Sequence, residues 1–196
     1  MLDERYEIIE FCPHSPIKIF MHKLGLVHKH WHKSIELLLV LEGIIDITVD
    51  EVTYTLKSED ILLINANSIH ELHAEGAVMI ALQIDLSRIN QFDQHLEDMI
   101  FDCNSCTSDQ QDVFNGIRFT IATMIRENAH GAKGSECKNY ALSYYLVSEL
   151  LAQFQVPTTE AIRKQQKHML RLTRIVKYIE EHYHENFSLS DLAQSE

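Results

Sequence analysis

The hydrophobic period changes once along this chain, near residue 108, and that change limits what it can fold into. Before it, the segments 17–26, 35–41, 44–49, 52–56, 61–64 and 77–84 are rich in leucine or β-branched residues and are separated by Gly, Asn, Asp and Ser. Many short strands in succession predict an antiparallel sandwich or small barrel. Gly43 separates two of the strands, and Asp50-Glu51 reads as a hairpin tip. After the change the spacing is three or four. Val113, Ile117, Ile121, Met124 and Ile125 mark one helix face, which Ser108 would cap and Gly131 would end. Tyr140, Leu142, Tyr145, Leu146, Leu150 and Phe154 mark a second helix. The class is therefore α+β, a β domain followed by an αα-hairpin whose spare apolar surface packs on its own barrel or on a partner chain. Residues 155–159 read as a hinge. Leu172, Ile175, Val176, Ile179 and Tyr183 outline a third helix that 186–188 interrupt, and Ser188 with Asp191 has the form of a new helix N-cap.

Composition narrows the class. With 196 residues, 45% hydrophobic and 23% charged, the chain can bury a substantial core. Its longest apolar run, near 77–82, is far too short for a membrane span. Acidic residues at Asp3 and Glu4 occupy the place where a secretory signal would carry basic ones, and Cys12, Cys103, Cys106 and Cys137 are too scattered for a disulfide framework. Thiols and a cytoplasmic location are the expectation. The net charge is -12, unevenly spread: residues 1–159 hold 11 Lys/Arg against 23 Asp/Glu, whereas 160–196 hold 6 of each. The first part should repel a phosphate backbone. The basic positions Arg163, Lys164, Lys167, Arg171, Arg174 and Lys177 read, by charge alone, as a solvated helix face.

Chemistry concentrates in two histidine groups. His28, His30 and His32 fall within five positions, and Glu36 follows. On an extended strand His30 and His32 share a face. Four straight strand residues span roughly 13 Å, too far for Glu36 to meet the same ion as His32, so the chain must turn near Lys33-Ser34 if Glu36 belongs to the site. Leu38 and Val40 would then point inward beside it. His70 and His73 follow a strand-turn segment over 60–70. Cys103 and Cys106 lack a second pair to complete a zinc site and read as ordinary thiols. His182 and His184 suit the end of a helix dipole, and Tyr140, Tyr144, Tyr145 and Phe154 suit a core or a dimer interface.

Gly25, His30, His32, Glu36 and Gly43 resemble the first motif of the cupin superfamily, and 59–74 resembles the second, with His70 at its histidine. The first Gly is one residue closer than usual, and the Gly, Pro, Gly and Asn positions of the second motif hold Glu59, Asn65, Asn67 and Ala74. Together with the segments 36–43, 54–60, 175–183 and 187–193, the chain resembles AraC-type transcription regulators over nearly its whole length. The resemblance implies a cupin-like antiparallel barrel (double-stranded β-helix or jelly roll) over 1–107, a helical dimerisation region over 108–156, and a linker with the start of a truncated helix-turn-helix domain over 157–196. It implies a non-enzymatic sensor of a small-molecule effector such as a sugar, with His30, His32, Glu36, His70, His73 and Leu38 lining the pocket. A homodimer would read DNA through the full-length protein, whose recognition helix would follow Glu196. Three imidazoles and a carboxylate at His30, His32, Glu36 and His70 would also suit a divalent metal, Zn, Mn, Fe or Ni. The alternative is a metal-dependent cupin enzyme, an isomerase or dioxygenase.

Overall fold

The computed structural model describes residues 5–13, 15–89, 96–108, 111–184 and 188. Eleven strands are present among them: β1 (Arg5–Tyr6), β2 (Ile17–Lys23), β3 (Leu26–Trp31), β4 (Ile35–Glu42), β5 (Ile44–Val49), β6 (Val52–Lys57), β7 (Ile61–Ile64), β8 (His70–Ala74), β9 (Val78–Ile84), β10 (Ile100–Phe101) and β11 (Gln155–Val156). Three helices follow the barrel strands, α1 (Gln111–His130), α2 (Ser135–Gln153) and α3 (Glu160–His182). The strands form a five-stranded sheet, β1-β3-β8-β5-β6, a four-stranded sheet, β2-β9-β4-β7, and the pair β10-β11.

Pairing is antiparallel except between β1 and β3, which run parallel, so the first sheet is mixed where an antiparallel barrel was expected. Two further expectations are corrected. The stretch 17–26 is two elements, because β2 ends at Lys23 and the chain turns into β3 of the other sheet. Gln155 and Val156, expected in a hinge, pair with Phe101 and Ile100.

The two sheets share an inner apolar cluster, with Leu38, Val40, Leu62, Ile64, Met79 and Ala81 from one meeting Ile45, Ile47, Leu56 and Leu72 from the other. On the opposite face of the four-stranded sheet, Leu37, Leu39, Leu63, Ile80 and Leu82 pack with Phe114, Ile117, Ile121 and Met124 of α1 and Leu146 and Leu150 of α2. That sheet is buried on both sides. For this reason β4, β7 and β9 read as continuous apolar runs, whereas β5 and β6 alternate with an outer polar face.

Gly131, at φ 56°, ends α1 and donates its N–H to the Glu127 carbonyl. The Glu127 carboxylate accepts from Lys138 at 2.6 Å and from the Ser135 hydroxyl, joining α1 to α2. The N-terminal cap of α1 lies outside the described residues. Phe119 and Tyr145 remain exposed on these helices.

The chain divides into two compact units, 1–157 and 158–196. In the second, the Thr159 hydroxyl caps α3 by accepting the Ile162 N–H, so this helix begins well before the apolar positions that announced it. The interruption at 186–188 and the expected cap at Ser188–Asp191 fall largely outside the described residues, and α3 is the helix described in this unit.

Among the described residues, four non-glycine positions take positive φ: Asp50, Glu51, Glu59 and Asn67. The first two form the expected hairpin tip between paired Val49 and Val52. Glu59 (φ 73°) and Asn67 (φ 63°) occupy positions where the cupin motif has glycine. Both lie in the left-handed region that glycine adopts most readily. Asn tolerates it, whereas Glu costs about 1 kcal/mol or more. Gly43 has φ 88°, and a Cβ there would lie 3.0 Å from the Ala77 backbone. Gly43→Ala should therefore lower unfolding free energy by about 2 kcal/mol, whereas Glu59→Gly should leave it unchanged or raise it by up to ~1 kcal/mol. Urea denaturation of the two variants checks both signs.

Candidate metal centre

Three histidines and a glutamate reach one place by different routes. His30 lies near the end of β3, where the register sets it opposite His70 at the start of β8. After Trp31 the chain bends at 33–34 and passes from the five-stranded to the four-stranded sheet. That bend folds Glu36 back onto His32. Glu36 shares its face of β4 with Leu38 and Val40, both fully buried in the inner cluster.

His30, His32 and His70 are buried, and their ligand atoms lie within 4.8 Å of one another. Each Nδ1 is committed to a backbone carbonyl two residues away: His30 to His28 at 2.8 Å, His32 to Ser34 at 3.0 Å, and His70 to Ser68 at 2.9 Å. A carbonyl only accepts, so each Nδ1 carries the hydrogen and each Nε2 is turned toward the cluster. Metal-ligating histidines are oriented in this way by the groups behind them.

Glu36 completes the cluster on one side. Its Oε2 is 3.1 Å from His32 Nε2 and 3.5 Å from His70 Nε2, while its Oε1 accepts from Gln83 Nε2 at 3.3 Å. The His70 contact is too long for an ordinary hydrogen bond, and that buried nitrogen has no other partner. On the other side, Glu7 Oε2 is 3.3 Å from His30 Nε2.

The charges follow from this geometry. Burial pushes the Glu36 carboxyl up, but the adjacent imidazoles of His32 and His70 outweigh it and hold the pKa well below the usual carboxylate range. Burial pulls His32 down, and Glu36 with the Ser34 carbonyl more than reverses this, leaving its pKa raised. His30 is lowered to about 4, first by burial and then by the neighbouring His70. Without a metal, His32 beside the Glu36 carboxylate holds a proton more readily than a free imidazole does, whereas His30 holds one less readily. Three nitrogen donors within 4.8 Å of one another, with a Glu36 oxygen beside two of them, fit a divalent metal of the Zn, Mn, Fe or Ni group.

Sequence reasoning placed His30, His32, Glu36 and His70 together, and the structure does the same. His73 is corrected: three residues from His70 on a strand, it projects from the opposite face and is exposed. Leu38 supplies inner apolar wall two residues from Glu36. Two residues were missed. Gln83 shows as the polar interruption of the apolar run in β9, whereas nothing local marks Glu7. The cysteines are free thiols. Burial pushes Cys103 up to about 12, and burial with Asp60 pushes Cys106 up to about 11, so neither is an activated thiolate.

Residues 22–84 match the cupin domain family Cupin_2, and the chain contains a cupin domain there. No curated protein matches the sequence. Among solved structures, the fold is similar to a protein of unknown function from Streptococcus pyogenes (24% identity, 35% of this chain and 61% of that one, TM-score 0.32). It is also similar to a cupin superfamily protein from Desulfitobacterium hafniense (25%, 35% and 67%, TM-score 0.34). A third is the Bacillus subtilis oxalate decarboxylase, a protein with Mn(II) centres (18%, 36% and 22%, TM-score 0.35). The chain thus spans 61% of the first of these and 22% of the last. The expectation of a non-enzymatic protein is corrected here: the three buried imidazoles form a group that could hold a metal, which removes the ground for excluding an enzyme. Among the described residues no helix is long and apolar enough to cross a membrane.

His30 gives a pH dependence with a defined sign. Its folded-state pKa of about 4 lies below its ordinary 6.5, so it contributes stability in full above pH 6.5 and loses it as pH falls toward 4. The melting temperature of the metal-free protein should decline across that window, and His30→Asn should flatten the decline. An imidazole NMR titration should place the His30 midpoint near the lower end of the window.

Proposed function

We propose that the barrel holds one divalent metal ion through His30, His32, His70 and Glu36, and that the chain is a metal-dependent cupin enzyme of the isomerase or dioxygenase kind. The observation that carries this reading is the orientation of the ring nitrogens. Three Nδ1–H groups are tied to carbonyls, the Nε2 atoms of His32 and His70 face the buried Glu36 carboxylate, and His70 Nε2 has no hydrogen-bond partner. A divalent ion would supply Lewis acidity toward a carbonyl, hydroxyl or dioxygen oxygen. The protein's own contribution is to orient the imidazoles, to hold Glu36 ionised through Gln83 and His32, and to keep water out with Leu38 and Val40.

Metal entry competes with protons for the imidazoles, most of all at His32, which Glu36 makes more basic. Binding of Zn2+ or Mn2+ should therefore release protons, and affinity should rise with pH. Calorimetry in buffers of different ionisation enthalpy measures the release. Elemental analysis after loading and desalting should find about one ion per chain, lost in His30→Ala and His70→Ala. A wild-type chain that retains no metal would refute the reading.

A second reading places the same pocket in an AraC-type regulator. It is supported by the sequence resemblance, by α3 with its basic positions in a compact unit of its own, and by exposed Phe119 and Tyr145 as surface for a homodimer. Here a small-molecule effector, with the metal or without it, would bias two DNA-binding domains of the full-length protein. Thermal stabilisation by a sugar-like ligand that disappears in His30→Ala and His70→Ala, together with a recognition helix encoded after Glu196, would favour this reading.

A further inference from the structure

β1 is two residues long, yet it anchors the start of the described chain against the cluster. Arg5 and Tyr6 pair in parallel with His30 and Trp31, and the next N–H, that of Glu7, donates to the Trp31 carbonyl at 2.9 Å. The Tyr6 and Trp31 rings pack with centroids 5.9 Å apart. Backbone pairing and ring packing together fix where the Glu7 side chain emerges.

That side chain meets His30 in a way that ordinary hydrogen bonding does not explain. The His30 Nδ1–H is spent on the His28 carbonyl, so Nε2 presents a lone pair to the Glu7 carboxylate at 3.3 Å. Two acceptors held face to face repel unless positive charge lies between them. Glu36 lies on the other side of the cluster, 3.1 Å from His32 Nε2 and 3.5 Å from His70 Nε2. The three imidazoles therefore lie between two carboxylates, one buried and one at the solvent edge, where the Glu7 side chain is 43% exposed.

We propose that Glu7 is a second carboxylate ligand of the metal centre, and that the segment carrying it is a strap which the metal fastens across the site. This rests on the metal reading above. Charge balance favours it: three neutral imidazoles and two carboxylates neutralise a divalent ion, whereas Glu36 alone would leave a positive charge in a buried place. A second oxygen donor also moves the set toward harder ions such as Mn2+ and away from sites closed around Zn2+. Because the ligand sits on a strand of two residues, occupancy of the centre and order of the strap are linked.

The test uses the 196-residue chain and MnCl2 alone. Glu7→Gln should weaken Mn2+ binding about 10–100-fold by calorimetry, whereas Glu10→Gln, at an exposed position on the same segment, should not. Hydrogen exchange read by mass spectrometry over 5–13 should slow when Mn2+ is added to wild type, and should not slow in Glu7→Gln. Matching apo melting temperatures would establish that the variant is folded. Equal Mn2+ affinity of wild type and Glu7→Gln, or exchange indifferent to Mn2+, overturns the role of Glu7 and leaves the metal reading standing. A wild-type chain that binds no Mn2+ overturns both.

Discussion

A carboxylate taken out of water must find positive charge or hydrogen-bond donors, and the burial of Glu36 imposes that demand on the whole barrel. The elements around it are arranged to meet it. The end of β3 brings His30, the bend at 33–34 returns Glu36 onto His32, the start of β8 brings His70, and β9 adds the Gln83 amide on the far oxygen. Each imidazole is aimed by a carbonyl behind it, so the orientation comes from backbone rather than from flexible side chains. The result is a polar point inside an apolar container, where a proton or a cation has a defined place.

The container can hold such a point because one of its sheets has no free face. Leu37 and Leu39 of β4 face the helices, while Leu38 and Val40 face the barrel interior. Packing on both sides leaves β4 little room to shift its register, and Glu36 inherits that precision. α1 and α2 therefore serve the site without touching it. Strained positions fit the same picture. Glu59 and Asn67 keep a left-handed backbone because the turns flanking β7 are needed to deliver His70, and the surrounding pairing maintains the conformation.

How much of this was legible depended on how local each signal was. The barrel strands, the Asp50-Glu51 hairpin tip, the Gly131 helix stop and the shared face of His30 and His32 could be read because period, turn chemistry and spacing are properties of neighbouring residues, whereas His70 joined them only through the resemblance to the cupin motifs. The requirement for a bend at 33–34 came from strand geometry alone. His73 was misplaced although alternation argued against it, since the segment was read as the end of a turn rather than as a strand. β8, β10 and β11 are too short or too polar to announce themselves. Gln83 was visible only as an oddity in an apolar run.

The sequence by itself determined the α+β class, the order of barrel and helices, and the donor types available to a ligand. These follow from side-chain periodicity and chemistry, which the chain carries without folding. Tertiary structure decided which histidines converge, which nitrogen of each faces inward, and that Glu7 arrives beside His30 through the parallel β1–β3 pair. Those outcomes depend on pairing between segments more than twenty residues apart, and no local pattern encodes a distance in space.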